Sequence, residues 1–351
     1  MTSMTSMKRV LTTLGHQEPD RVPFFLLLTM HGAKELGLSL QDYFGRAEHI
    51  VEGQKRLRAK YQHDCFYNLF YAALEIEAWG GETIFREDSP PNSGQPIISR
   101  PEDILDLQPP RIQDSPSLLK VLEATRQLKA FAGDDVPIIG VAISPFSLPV
   151  MQMGFESYLD LIYTRRDLFE QLMQINQTFC IEWANAQLAA GATAITYFDP
   201  VASPTVIPKE LYLEIGFEFT RQTLAQINGP TAVHLASGRA LPIIDALTQT
   251  GTAVVGVSVE ESLAELKAAC HNKVSLLGNL NGIEMRRWTP EQAKRVTMEA
   301  IANAGPRGGF ILADNHGEIP LQVPDEVLLT ISETVRQWGR YPLQLAKKNV
   351  E

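Results

Sequence analysis

The chain has 351 residues, 44% of them hydrophobic and 21% charged, with a formal net charge of −10 at pH 7. That length and apolar content suffice to bury a large core in one large domain or two. The acidic balance argues against a surface made for phosphate backbones or anionic lipid, which needs a cationic field, so neither nucleic acid nor membrane is an expected partner.

The opening stretch "MTSMTSMKRVLTTLGHQEPDRVP" has no apolar core of signal-peptide length. Residues 1–21 are therefore read as a helical N-terminal extension. Two apolar runs follow, "VPFFLLLT" (22–29) and "HDCFYNLF" (63–70). A Pro-rich insert over residues 86–118 then separates the second run from the third. Beyond about residue 130, six short runs rich in β-branched residues alternate with amphipathic stretches: "VPIIGVAI" (136–143), "ATAITYF" (192–198), "TAVHL" (231–235), "TAVVGVSV" (252–259), "KVSLLGNL" (273–280) and "GGFILA" (308–313). The stretches between them space apolar residues three and four apart and end at glycine, as helices do. Each helix returns the chain for another parallel strand.

Eight runs are the closure number of a (β/α)8 barrel, and residues 1–351 are expected to form one such TIM barrel. No Gly-x-Gly-x-x-Gly turn supports a doubly wound sheet instead. No apolar run approaches the roughly 20 residues that cross a bilayer. The three cysteines, Cys65, Cys180 and Cys270, form no Cys-x-x-Cys pair, as expected in a reducing compartment. The expected location is the cytoplasm.

Active sites of such barrels lie at the C-terminal ends of the strands, so residues just past each run are the candidates. They are His31 after the first run, Ser144 after the third and Asp199 after the fourth. His234 ends the fifth, Glu260 and Glu261 follow the sixth, Asn279 closes the seventh, and Asp314, Asn315, His316 and Glu318 follow the eighth. A closed barrel could bring His234 and His316 across the mouth from one another. His234, His316 and Asp199 are candidate catalytic groups, and His31, Ser144, Asn279 and Glu260 candidate substrate contacts. For His316, Asp199 and Asn279 a turn, cap or loop-orienting role is the structural alternative.

Several segments together, "DRVPF", "EIEAWGGETIFREDSPP", "FDPVASPTVIPKELYLEIGFEF", "AVHLASGRALPIIDALTQTG", "LLGNLNG" and "GGFILADNHGEIPLQVPDEVL", resemble the uroporphyrinogen decarboxylase superfamily, and more closely its corrinoid-linked methyltransferase branch, the methylcobamide:coenzyme M methyltransferases. The resemblance covers nearly the whole chain and implies the same barrel fold. The decarboxylases carry an arginine-rich segment after the first strand to hold a polycarboxylate, whereas here the matching stretch, "LTMHGAKELGLS", has no arginine.

In the thiol-methylating branch, the resemblance implies a zinc site made by a His-x-Cys pair and a later cysteine. His234 matches the histidine, but Ala236 and His316 stand at the two cysteine positions. Two alternatives stay open. A harder nitrogen and oxygen site could hold a metal, zinc included, through His234, His316 and an oxygen donor from Glu318, Asp199, Asp314 or the Glu260 and Glu261 pair, suiting O-demethylation better than thiol methylation. Otherwise these groups act without metal as hydrogen-bond donors or proton shuttles. No segment matches the Asp-x-His-x-x-Gly corrinoid signature. The resemblance therefore implies methylcobalamin or a related corrinoid carried by a separate corrinoid protein, with a small molecule as methyl donor or acceptor. A decarboxylase-like lyase and a non-catalytic small-molecule-binding barrel are the alternatives.

Overall fold

The structure is a computed structural model that describes residues 4–68, 70–315 and 317–344. Seven parallel strands follow one another around a single curled sheet: β1 (Phe66–Tyr67), β2 (Ile138–Ile143), β3 (Ala194–Phe198), β4 (Thr231–His234), β5 (Val254–Gly256), β6 (Ser275–Leu280) and β7 (Phe310–Asp314). Their spatial order is the chain order, as successive right-handed β/α units require.

The gap between β7 and β1 is closed by the first apolar run. It is too short in ladder contacts to count as a strand. Phe24 makes a parallel bridge to Leu312, Phe25 N–H donates to Leu312 O at 2.8 Å, and Leu312 N–H donates to Pro23 O at 2.9 Å. On its other side Phe24 O accepts from Asp64 N–H at 2.9 Å. The eight expected strand positions are thus all filled, with two corrections. Residues 22–29 contribute one bridge, because Pro23 has no N–H to extend the ladder backward and Leu27 N–H donates to the Asp314 side chain in place of a strand carbonyl ahead of it, and residues 63–70 shorten to β1.

Strand alternation divides the buried side chains into two layers. Phe24, Phe66, Ile138, Val233, Val255, Leu276, Phe310 and Leu312 point outward and join the core beneath the helices, with Trp183 and Phe169 of the long helix Arg166–Ala190 among its largest members. Phe25, Tyr67, Ile139, Leu277, Ile311 and Ala313 fill the barrel interior. Val10 belongs to the same inner cluster. It lies on the N-terminal helix Ser6–Leu14, whose Thr13 O accepts from Gly309 N–H just before β7. The extension therefore plugs the barrel at the end opposite the expected site.

Residues 86–118 hold one strand of a small hairpin, Asn92–Ser93 against Thr83–Ile84, and two 3-10 turns, Pro101–Asp106 and Ile112–Asp114. Among the described residues no helix is long and apolar enough to cross a membrane.

Candidate active site

The inward positions toward the C-terminal ends mix apolar with small and polar side chains: Val141 and Ile143, Thr196 and Phe198, His234, Ala313. They surround a cavity of about 220 Å³ at the strand ends. His234, Asp314 and Glu318 are among its lining residues, together with Pro90 and Pro91 of the insert.

His234 is held on all sides. Its ring stacks at 5.9 Å on that of Phe198, its neighbour on β3. On the other flank it packs against Gly256 of β5, where a Cβ would come within 2.5 Å of His234 Cδ2. Ala236 adopts φ +52°, which turns its N–H back to donate to His234 Nδ1 at 3.0 Å. With Nδ1 an acceptor, the neutral ring carries its proton on Nε2. Burial pushes His234 down to about 4, so the imidazole is neutral at physiological pH. Asn315 fastens the loops around it: its Nδ2 donates to Ala236 O at 2.9 Å and Val257 O at 2.5 Å, and its Oδ1 accepts from Val259 N–H at 3.0 Å.

Two carboxyls follow the last strand and line the cavity. Asp314 Oδ1 accepts from Leu27 N–H at 3.2 Å, and Glu318 Oε1 accepts from Met30 N–H at 3.0 Å. Burial raises Asp314 to about 7 and Glu318 to about 8, with Asp314 adding repulsion to Glu318. Both are poised to hold a proton near neutral pH.

The wall around Glu75 was not singled out in the sequence. The β1–β2 ladder ends where Asn68 N–H donates to Ile139 O at 3.1 Å. Beyond that point side chains replace the missing strand: Gln187 Nε2 donates to Val141 O at 2.8 Å, Gln187 Oε1 accepts from Val141 N–H at 3.2 Å, and Glu75 Oε1 accepts from Ile143 N–H at 3.0 Å. The barrel wall parts here, and Glu75, Asn68, Gln187 and Trp183 become cavity walls. The only sequence signal was a carboxylate between two apolar residues in "LEIE" after the second run.

The other sequence candidates are distributed around this centre. Asp199 and Ser144 are buried and bonded to each other, with Asp199 Oδ1 accepting from Ser144 Oγ at 2.6 Å and Ser147 Oγ at 2.7 Å. Neither lines the cavity. This cluster joins the ends of β2 and β3 and sets their spacing. Asn279 Nδ2 donates to Ser258 O at 2.8 Å and Glu261 O at 3.2 Å, tying down the loop after β5. Glu260 is exposed on that loop, 3.6 Å from Arg239. His31 is buried at the start of helix His31–Leu36, outside the cavity, and desolvation lowers it to about 4. His316 lies outside the described residues.

Among the described residues no group of three or more His, Cys, Asp or Glu side chains is placed to hold a metal ion. Ala236 offers no thiolate, His234 Nδ1 is engaged, and Cys65, Cys180 and Cys270 are buried away from the cavity lining. The described donors do not fit a sulfur-rich zinc site.

Known proteins share this architecture. A methyltransferase from Methanosarcina mazei superposes with a TM-score of 0.85 over 95% of this chain and 99% of that one, at 20% sequence identity. A stretch of 164 residues is 32% identical to the methylcobamide:CoM methyltransferase MtaA of Methanosarcina barkeri, covering 46% of this chain and 48% of that protein, so the match spans about half the length of that relative. The uroporphyrinogen decarboxylase of Cupriavidus necator is 26% identical over 289 residues, 76% of this chain and 77% of that one. The profile of the uroporphyrinogen decarboxylase (URO-D) family matches residues 5–338, and the chain belongs to this family.

Proposed function

We propose that this family member is a corrinoid-linked methyltransferase, moving a methyl group between a small molecule held in the cavity and a corrinoid carried by a separate protein. The likeness to MtaA supports the reaction class. The observation that carries the reading is the cavity lining: His234, Asp314, Glu318 and Glu75 are its ionisable groups besides tyrosine, and no lysine or arginine is among the described lining residues. A polycarboxylate such as a porphyrinogen would enter with its charges unpaired, so the decarboxylase reading fails on electrostatics.

A reduced corrinoid, when its carrier docks at the barrel mouth, supplies the nucleophile that accepts the methyl. The residues of this chain hold the methylated molecule, exclude water and manage the proton. His234 donates from Nε2, the ring atom left free by its bond from Ala236. Asp314 and Glu318, protonated near neutral pH, can give a proton to an oxygen leaving group. Proton donors without a thiolate-binding metal favour O-demethylation over methylation of a thiol, because an alkoxide needs protonation and a thiol acceptor needs the opposite. From its place in the sequence His316 is proposed as a further imidazole on this side, and Asp199 as a positioning residue acting through Ser144 and Ser147. No step requires zinc.

The test is to mix the purified protein with cob(I)alamin and, separately, methoxylated aromatics, methylamines and methylated thiols, following the cobalt absorption. Loss of the Co(I) spectrum with an oxygen- or nitrogen-bound methyl supports the proposal. No change with any class refutes it, and a change with methylated thiols alone refutes the O-demethylation preference.

A further inference from the structure

The Glu75 side of the cavity holds buried polar atoms whose hydrogen bonds are incomplete. Glu75 is 5% exposed, and its Oε2 has no hydrogen-bond partner. The nearby Trp183 indole favours the ionised carboxyl, yet its N–H also completes no hydrogen bond. Asn68, fully buried, likewise keeps a free Oδ1. Its amide orientation is dictated by its neighbours. Thr125 Oγ1 gives its proton to Val121 O at 2.7 Å, and Gln187 Nε2 is committed to Val141 O, so both Thr125 Oγ1 and Gln187 Oε1 must accept from Asn68 Nδ2, at 2.8 and 3.1 Å. The oxygen is the atom left without a partner.

Trp183, Phe70 and Tyr71 supply aromatic surface to the same lining. Two unpartnered buried acceptors, one of them a carboxyl, beside aromatic faces and without a lysine or arginine in the described lining, are complementary to a cation with apolar substituents. A bare metal ion does not suit them, since no three His, Cys, Asp or Glu side chains converge among the described residues.

We propose that this side of the cavity binds the ammonium head of a small organic cation, methylated at nitrogen, with Glu75 as counter-ion and Trp183 as the aromatic wall. The assignment rests on the methyl-transfer reading of the same cavity and narrows its substrate class: the transferable methyl belongs to a molecule that carries an ammonium group. Burial without a counter-charge, which raises Glu75 to about 8 in the free protein, fits a carboxyl that becomes ionised when the cation arrives.

The experiment is titration calorimetry of the full chain with choline and with 3,3-dimethylbutan-1-ol, which has the same shape without the charge. Choline is expected to bind at least about tenfold more tightly, and Glu75→Gln is expected to abolish that preference while leaving the alcohol's affinity unchanged. Equal affinities in the wild type, no binding of choline at millimolar concentration, or a choline preference that survives Glu75→Gln each overturns the assignment. The wild-type comparison decides alone if the variant does not fold. No corrinoid is needed, so the two readings fail separately. Choline selectivity without any cobalt change refutes only the transfer, and cobalt methylation without choline selectivity refutes only the ammonium site.

Discussion

Replacing Glu75 with glutamine should make the protein more stable at neutral pH and leave it nearly unchanged in acid. The carboxyl is 5% exposed and burial raises it from the ordinary value of 4.5 to about 8. With the folded value above the unfolded one, the folded chain holds a proton that the unfolded chain has lost. Stability is therefore complete below pH 4.5 and falls as pH rises toward 8. At pH 7, 2.5 pH units above the unfolded value, the loss at about 1.4 kcal/mol per unit comes to about 3 kcal/mol; at pH 5 it is below about 1 kcal/mol. Glutamine keeps a carbonyl oxygen for Ile143 N–H and does not ionise. Any fixed difference between acid and amide cancels when two pH values are compared, so the gain of Glu75→Gln over wild type should grow by about 2–3 kcal/mol between pH 5 and pH 7. Urea denaturation at pH 5, 6, 7 and 8 measures it. A difference that is flat with pH, or that shrinks as pH rises, would refute the reasoning. A residue that destabilises the empty protein and is needed for choline selectivity would be one retained for the ligand.

Three further outcomes are expected. Gly256→Ala places a methyl 2.5 Å from His234 Cδ2 and should cost about 1–3 kcal/mol in denaturation while lowering methyl-transfer kcat, since the ring must leave its stack on Phe198. Transfer from an oxygen-bound methyl should decline as pH rises through about 7 to 8, where Asp314 and Glu318 lose the protons they donate, and Glu318→Gln should change that limb of the pH–rate profile. At the other end of the barrel, Asp64 is 1% exposed and accepts from Arg9 Nη1 at 2.7 Å, Arg21 Nη1 at 2.7 Å, Ser6 Oγ at 2.9 Å and Phe24 N–H at 3.0 Å. Asp64→Ala should cost about 3–5 kcal/mol in equilibrium denaturation by leaving the Arg21 guanidinium without its carboxylate and Arg9 with Asp20 alone, and a loss below about 1 kcal/mol would show that the network does not hold the barrel closed.

The alternation of short apolar runs with amphipathic helices already specified the barrel, because strand and helix periods are written locally in the order of apolar residues. The six runs beyond residue 130 each contain a strand, and His234 ends its strand where "TAVHLASG" implied. The loss of thiolates at Ala236 and of arginines after the first run was equally legible, since it depends only on residue identity. Pairing was not. Whether residues 22–29 form a strand or one bridge depends on partners nearly 300 positions away, and Asp199 and Ser144 became a bonded pair only when β2 and β3 lay side by side. Glu75 is the clearest case. In sequence it is one acidic residue in a short helix, where a carboxylate would ordinarily face water. The early end of the β1–β2 ladder left Ile143 N–H without a strand partner, and the folded chain turned Glu75 inward to satisfy it, leaving its second oxygen buried without a hydrogen bond. Local order sets the elements, but the burial and charge of a site are properties of distant segments in contact, and only the tertiary structure decides them.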